Sequence, residues 1–153
     1  MSENAREKTR RIVVGVDGSP AANAALRWAV RQAELTGDTV EAVIVGQYPI
    51  IGASYGWAGV AVTEGVDLRG LAEETLSKAI AEATEPGSDV KVNSRVIEGY
   101  PASALVEESA DADLLVVGSR GHGTFTEALL GSVSQHCSHH ARCAVVIVRG
   151  LHR

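Results

Sequence analysis

Residues 12–20 read Ile12-Val13-Val14-Gly15-Val16-Asp17-Gly18-Ser19-Pro20. The first five form a short, largely β-branched block that is apolar on both faces, as a strand buried inside a parallel sheet must be. Ser19 then supplies an N-cap hydroxyl, and Pro20 suits the first helical position, whose N–H has no intrahelical partner anyway. Leu26, Ala29, Val30 and Ala33 follow at the spacing of one helical face, and Gly37 ends the helix. A buried strand running straight into a capped helix is the opening unit of an α/β fold.

The alternation continues outward from that unit. Val40 to Val45 reads as a second strand. Leu68, Leu71, Ala72, Leu76, Ala79, Ile80 and Ala83 form the apolar stripe of a second helix, ended by Pro86-Gly87. Val90 to Ile97 is the third strand, Gly99-Tyr100-Pro101 turns into a short helix through about Ala110, and Leu114 to Val117 is the fourth strand. A helix from about Gly131 to Ala141 and a fifth strand, Ala144 to Val148, complete the pattern. Gln47 to Gly65, with Pro49, Gly52, Gly56, Gly59 and Gly65, reads as a long loop of the kind that usually has a function or is disordered.

Strands alternating with helices imply a parallel sheet with right-handed crossovers and helices on both faces. In such sheets a ligand crevice lies beyond the carboxyl ends of the strands, where the winding reverses. If strands one and four are neighbours at that reversal, Asp17 and Gly118 share its rim.

Composition narrows the function classes. A chain of 153 residues fits one domain, expected over residues 11–150 behind a polar lead at 1–10, and is long enough to bury a core without metal or disulfide staples. Aromatic residues are only 4% of the chain, so the core must come from Val, Ile, Leu and Ala. The net charge of -5 argues against a nucleic-acid footprint, which needs clustered Lys and Arg. A small anion is a different matter, because backbone N–H groups and helix N-termini hold anions without entering a charge count. No run of about 18 apolar residues suggests a membrane span, and Met1 to Arg11 lacks the apolar core of a signal peptide, so a cytoplasmic location is the expectation. Cys137 and Cys143 are too few for a disulfide framework.

The most informative motif is Gly118-Ser119-Arg120-Gly121-His122-Gly123, followed after Thr124 to Leu130 by Gly131-Ser132-Val133-Ser134. Glycines permit positive φ and close approach of a ligand, so that successive N–H groups converge on phosphate oxygens. Gly131 and Ser132 then place free N–H groups and a hydroxyl at a helix start, where the dipole favours an anion. The same glycines would also serve an ordinary strand-to-helix turn, and spacing alone does not separate the two readings.

The pattern Gly118-x2-Gly121-x9-Gly131-Ser132, together with Val14-Gly15-Val16-Asp17-Gly18-Ser19, Gly99-x-Pro101 and Ala112 to Gly121, resembles the ATP-binding branch of the universal stress proteins, over nearly the whole chain. The resemblance implies an open five-stranded Rossmann-like sheet in the order 3-2-1-4-5, of the adenine-nucleotide alpha-hydrolase-like type, with ATP at the carboxyl ends of the strands. By resemblance, Asp17 is the acidic residue beside the adenosine, with Gly18 after it, and the backbone of Val45 meets the adenine edge. The stretch Gly118, Ser119, Arg120, Gly121, His122 and Gly123 is the ribose and phosphate loop. Gly131, Ser132 and Val133 form the phosphate cradle, and Ser134 adds a hydroxyl. Arg120 and His122 either face the phosphates or point to water. A homodimer through Ala144 to Val148 is also implied, although burial within one chain accounts for the same apolar content. The pair Cys143-Ala144 departs from the many relatives that carry proline after the cysteine.

Catalysis has weaker support. A Walker-type loop needs Lys directly before the helix-start Ser or Thr, whereas Leu130 and Gly131 precede Ser132. General base, metal carboxylate pair and arginine finger are not evident either, so binding is favoured, as a regulator or interaction module. Slow hydrolysis of ATP, with Asp17 holding Mg²⁺, and a nucleotide-independent partner-binding role remain as alternatives. His136 and His140 share a helical face, which raises zinc, but Val133, Cys137 and Ala141 at i, i+4, i+8 make Cys137 a core residue, and no metal site is expected. Asp111 and Asp113 sit at the amino end of the fourth strand and solvate a turn. Glu73-Glu74 and Glu107-Glu108 read as exposed helix faces. Trp28 reads as packing, while Tyr55 and Trp57 in the long loop would cover either a nucleotide or a partner.

Overall fold

The computed structural model describes residues 10–46, 67–120 and 130–150. Among these residues five strands, β1 (Arg11–Val16), β2 (Thr39–Gly46), β3 (Val92–Glu98), β4 (Leu114–Gly118) and β5 (Ala144–Val148), alternate with four helices, α1 (Pro20–Thr36), α2 (Leu68–Ala83), α3 (Pro101–Ser109) and α4 (Ser132–His140). Every strand pairing is parallel and the order is β3-β2-β1-β4-β5, so the winding reverses between β1 and β4. This is the expected architecture. No helix among the described residues is long and apolar enough to cross a membrane.

The two faces of β1 explain the layering. Ile12, Val14 and Val16 point into a core shared with Ala25, Leu26, Ala29, Val30 and Ala33 of α1 and Ala72, Leu76 and Ala79 of α2. Val13 points the other way, into a cluster with Val43, Leu115, Val117, Leu105 of α3 and Cys137 of α4. Burying both faces of a β-branched strand leaves it no route to water, which is why the block at 12–16 specifies a central strand. Trp28, half-buried, packs against the first cluster as expected.

Local signals set the ends of α1. Ser19 Oγ accepts from the Ala22 N–H at 3.2 Å, and Gly37, at φ 82°, donates its N–H to the Ala33 carbonyl. Three expectations shift elsewhere. Leu71 is 54% exposed and outside the buried stripe of α2, because only Ala72, Leu76 and Ala79 of that helix are fully covered. That helix also stops before Pro86-Gly87, at Thr84, whose extended backbone breaks the helix while its hydroxyl donates to the Ile80 carbonyl. β3 begins at Val92 rather than Val90.

The larger correction concerns Glu108. Glu107 is exposed, but Glu108 lies in a four-member ion network at the amino end of the sheet. Arg11 Nη2 of β1 donates to Glu41 Oε1 of β2 and to Glu108 Oε1, both at 2.9 Å, and Arg95 of β3 grips Glu108 with Nη1 and Nη2 at 3.1 and 2.8 Å. Helical periodicity could not show this, because the arginines come from strands 13 and 97 positions away. Asp113 does more than solvate a turn: its carboxylate accepts from the Arg11 N–H at 2.8 Å, fastening β1 to the start of β4.

Burial alone would push the Glu108 carboxyl up, but hydrogen bonds from Arg95 and Arg11 outweigh it and hold the group below its ordinary 4.5. A carboxylate held low in the folded state stabilises fully above its unfolded value, and that stabilisation is lost as pH falls through the folded value. Glu108→Gln is therefore expected to lower stability at about pH 7 by on the order of 1 kcal/mol and to flatten the acid limb below about pH 4.5. Urea midpoints across that range measure both; parallel acid limbs for the two proteins would contradict the assignment.

Candidate functional site

β1 and β4 are neighbours, but β1 leads to α1 on one face of the sheet and β4 leads toward α4 on the other. Where they diverge, beyond their carboxyl ends, lies a crevice of about 330 Å³. Its lining divides by chemistry. Val43, Val45, Pro101, Leu105 and Val117 make an apolar portion, while Asp17, Arg120 and the start of α4, Gly131 to Ser134, make a polar one.

Of the residues singled out from sequence, Asp17, Val45, Gly118, Arg120, Gly131, Ser132, Val133 and Ser134 are brought together on this lining. Gly18 and Ser119 stand just off it and hold its shape. Gly18 has φ 85°, a left-handed conformation costly for other residues, and so turns the chain from β1 into α1. The turn is fixed by Asp17, whose Oδ1 accepts from the Ser19 N–H at 2.8 Å. Ser119, 8% exposed, donates its N–H to the Val148 carbonyl at 2.8 Å and so ties β4 to β5. Gly121, His122 and Gly123 lie outside the described residues, as do Tyr55 and Trp57.

Two readings of the glycine motif change. Gly131 does not offer a free N–H, because that group donates to the Ser119 carbonyl at 2.7 Å. The Ser134 hydroxyl, 2% exposed as a residue, donates within the protein to the Ser119 and Gly131 carbonyls, both at 3.1 Å. Gly131 and Ser134 thus brace the crevice from inside. Ser132 and Val133 follow an N-cap that makes no side-chain hydrogen bond, so their N–H groups open α4 without a capping acceptor. Gly118, for its part, is a glycine for packing: a Cβ there would stand 2.7 Å from Ala21 C and 2.8 Å from Ala22 N, the backbone of the first turn of α1.

Val43 and Leu105 belong to the lining without having been singled out. Both carry a sequence signal in hindsight: Val43 is two positions before Val45 on the same strand face, and Leu105 is one helical turn after Pro101.

The cysteines sit apart from the crevice chemistry. Cys137 is fully buried, as its spacing predicts, and burial pushes its thiol up to about 11; Cys143, partly buried, is also raised by burial. Both are free thiols. His136, His139 and His140 are exposed on the outer side of α4.

Comparison with known proteins agrees with the fold. The sequence profile of the universal stress protein family matches residues 8–149. A universal stress protein of Mycobacterium tuberculosis is 37% identical over 143 residues, covering 90% of this chain and 45% of that protein. A universal stress protein of Mycolicibacterium smegmatis is likewise 37% identical over 142 residues, covering 90% and 45%. The chain thus spans about half the length of these curated relatives. Among solved structures, a universal stress protein in complex with cAMP superposes with a TM-score of 0.60 at 27% identity, covering 91% of this chain and 95% of that one. One from Archaeoglobus fulgidus in complex with dAMP gives a TM-score of 0.64 at 26% identity, covering 91% and 97%.

The packing role of Gly118 makes a prediction. Gly118→Ala drives a methyl into the α1 backbone and is expected to cost about 1–3 kcal/mol in urea unfolding. Gly15→Ala meets side-chain atoms rather than backbone, with Leu105 Cδ1 at 2.9 Å the one tight contact, and is expected to cost less. Equal stability of the two variants would show that α1 does not rest on β4 in this way.

Proposed function

The chain belongs to the universal stress protein family, and on that premise we propose that its crevice binds an adenine nucleotide, with ATP as the full ligand, as a regulator or interaction module rather than an efficient enzyme. The observation that carries the reading is the meeting of Asp17, Val45 and the uncapped start of α4 on one crevice. The apolar portion, Val43, Val45, Pro101 and Leu105, suits a flat base, with the Val45 backbone meeting the adenine edge. Asp17 stands beside the ribose. The N–H groups of Ser132 and Val133, at the positive end of the α4 dipole, and the guanidinium of Arg120 suit the phosphates. Gly121, His122 and Gly123 complete the phosphate loop in this reading. The cAMP and dAMP complexes among the relatives support the adenine part, and the glycine spacing supports the longer phosphate tail.

The polar rim fits this group because it pairs one carboxylate with amide donors. Mg²⁺, where it accompanies ATP, would be held by Asp17 and the phosphates, and supplies charge neutralisation. The same carboxylate favours a second reading, slow ATP hydrolysis. A further element is the edge strand β5, whose Val145 to Val148 are only half-buried; pairing of two copies along it would cover that edge. The expected location is the cytoplasm.

Calorimetric titration of the full chain with ATP, ADP, AMP and cyclic AMP tests the proposal. At least one is expected to bind saturably, and none binding would overturn it. Asp17→Asn keeps an oxygen acceptor for the Ser19 N–H while removing the charge. It is expected to leave the fold intact and to weaken Mg²⁺-dependent binding by about tenfold, or ~1.4 kcal/mol. Phosphate release from wild type that Asp17→Asn abolishes would support the hydrolytic reading; no release would dismiss it.

A further inference from the structure

The outer face of α4 carries a feature that nucleotide binding leaves unused. His136 and His140, one helical turn apart and both exposed, lie with ring centres 4.5 Å apart and ring planes inclined by 38°. That spacing has a chemical meaning. An imidazole nitrogen lies about 1.15 Å from its ring centre, and a metal–nitrogen bond is about 2.0–2.1 Å, so a ligated ion sits roughly 3.2 Å from each centre. Two rings meeting the ion at a right angle then have centres roughly 4.5 Å apart, and at the tetrahedral angle about 5.2 Å. The observed 4.5 Å brings the two rings within the range over which a pair of imidazoles can reach one shared ion.

The surroundings define what kind of site this is. His139 stands edge-on to His140 at 6.3 Å, beyond either chelating separation. Cys137, between the two histidines in sequence, is fully buried and turned to the core. Among the described residues no group of three His, Cys, Asp or Glu gathers around one point, so the pair would act as a two-ligand chelate with its other positions open to solvent. That composition is an open, exchangeable site rather than a closed structural centre. The position also favours a cation, since His139 and His140 occupy the last turn of α4, where carbonyl groups and the helix dipole present negative charge.

We propose that His136 and His140 chelate one divalent late-first-row transition ion on the outer face of α4, with Cu²⁺ bound more tightly than Zn²⁺. The ion clips two consecutive turns of the helix whose first turn lines the crevice. This site does not depend on the nucleotide reading.

The test uses the full chain without an affinity tag and the metal salts alone. Titration calorimetry with CuCl₂ and ZnCl₂ is expected to give one equivalent per chain, tighter for copper. His136→Gln and His140→Gln are each expected to weaken binding by about tenfold or more, whereas His139→Gln stays within about threefold of wild type. Electron paramagnetic resonance of substoichiometric Cu²⁺ is expected to show coupling to two nitrogens in wild type and to one in either single variant. All three positions are exposed, and metal-free urea midpoints of the variants are expected to match wild type. Absence of saturable binding, binding unaffected by His136→Gln and His140→Gln, or an equal loss in His139→Gln would each overturn the proposal.

Discussion

At Gly118 the first turn of α1 rests directly on the end of β4, with less than 3 Å between the Ala21 and Ala22 backbone and the place where a side chain would begin. Much of the carboxyl end of the sheet depends on that contact. It sets how far α1 can lean across the gap between β1 and β4, and so where Asp17 and Ala22 stand on the crevice. Just past it, Ser119 acts as a three-way joint. Its N–H reaches β5 through the Val148 carbonyl, and its own carbonyl receives the Gly131 N–H and the Ser134 hydroxyl. The start of α4 is therefore referenced to β4 by hydrogen bonds that do not pass through residues 121–129.

The opposite end of the sheet is built differently. Arg11, Glu41, Arg95 and Glu108 tie three strands and α3 together, and Asp113 adds a strand-to-strand clasp. Charges that satisfy one another leave little for a ligand, whereas an end built from glycine contacts and amides leaves donors facing outward. The division matches the general physics of parallel sheets. Strand amino ends join helix carboxyl ends, and ligands collect where helix amino ends converge.

The fold was legible because its signals are local. Ile12 to Val16, the Ser19-Pro20 start and the Gly37 stop each specify structure within a few residues, and all three recur in the structure in those roles. Strand order was not local information and entered through family resemblance. Of the candidate site, the crevice lining was readable in part, since Asp17, Val45, Gly118 and the Gly131 to Ser134 run all line one crevice. What escaped was the destination of individual hydrogen bonds. Whether the Gly131 N–H meets a ligand or the Ser119 carbonyl depends on a contact between residues 12 positions apart, and Glu108 finds its arginines across the sheet. The His136–His140 pair was visible as a spacing, but its ring separation is a rotamer property that spacing does not contain.

An acidic chain with a net charge of -5 gains nothing from bulk electrostatics when it meets an anion, so any selectivity must come from how a few groups are placed. Here a carboxylate and a helix amino terminus share one small crevice. A ligand that is anionic throughout is opposed by Asp17; one that is neutral throughout forgoes the α4 dipole. A molecule with a neutral, hydroxyl-bearing part and an anionic tail satisfies both when its tail points to Ser132 and Val133. The apolar portion from Val43 to Leu105 then rewards a flat hydrophobic group on the neutral part. In the proposed reading, backbone amides and the one guanidinium of Arg120 would supply this discrimination without a lysine, so that an acidic sequence is compatible with an anionic ligand.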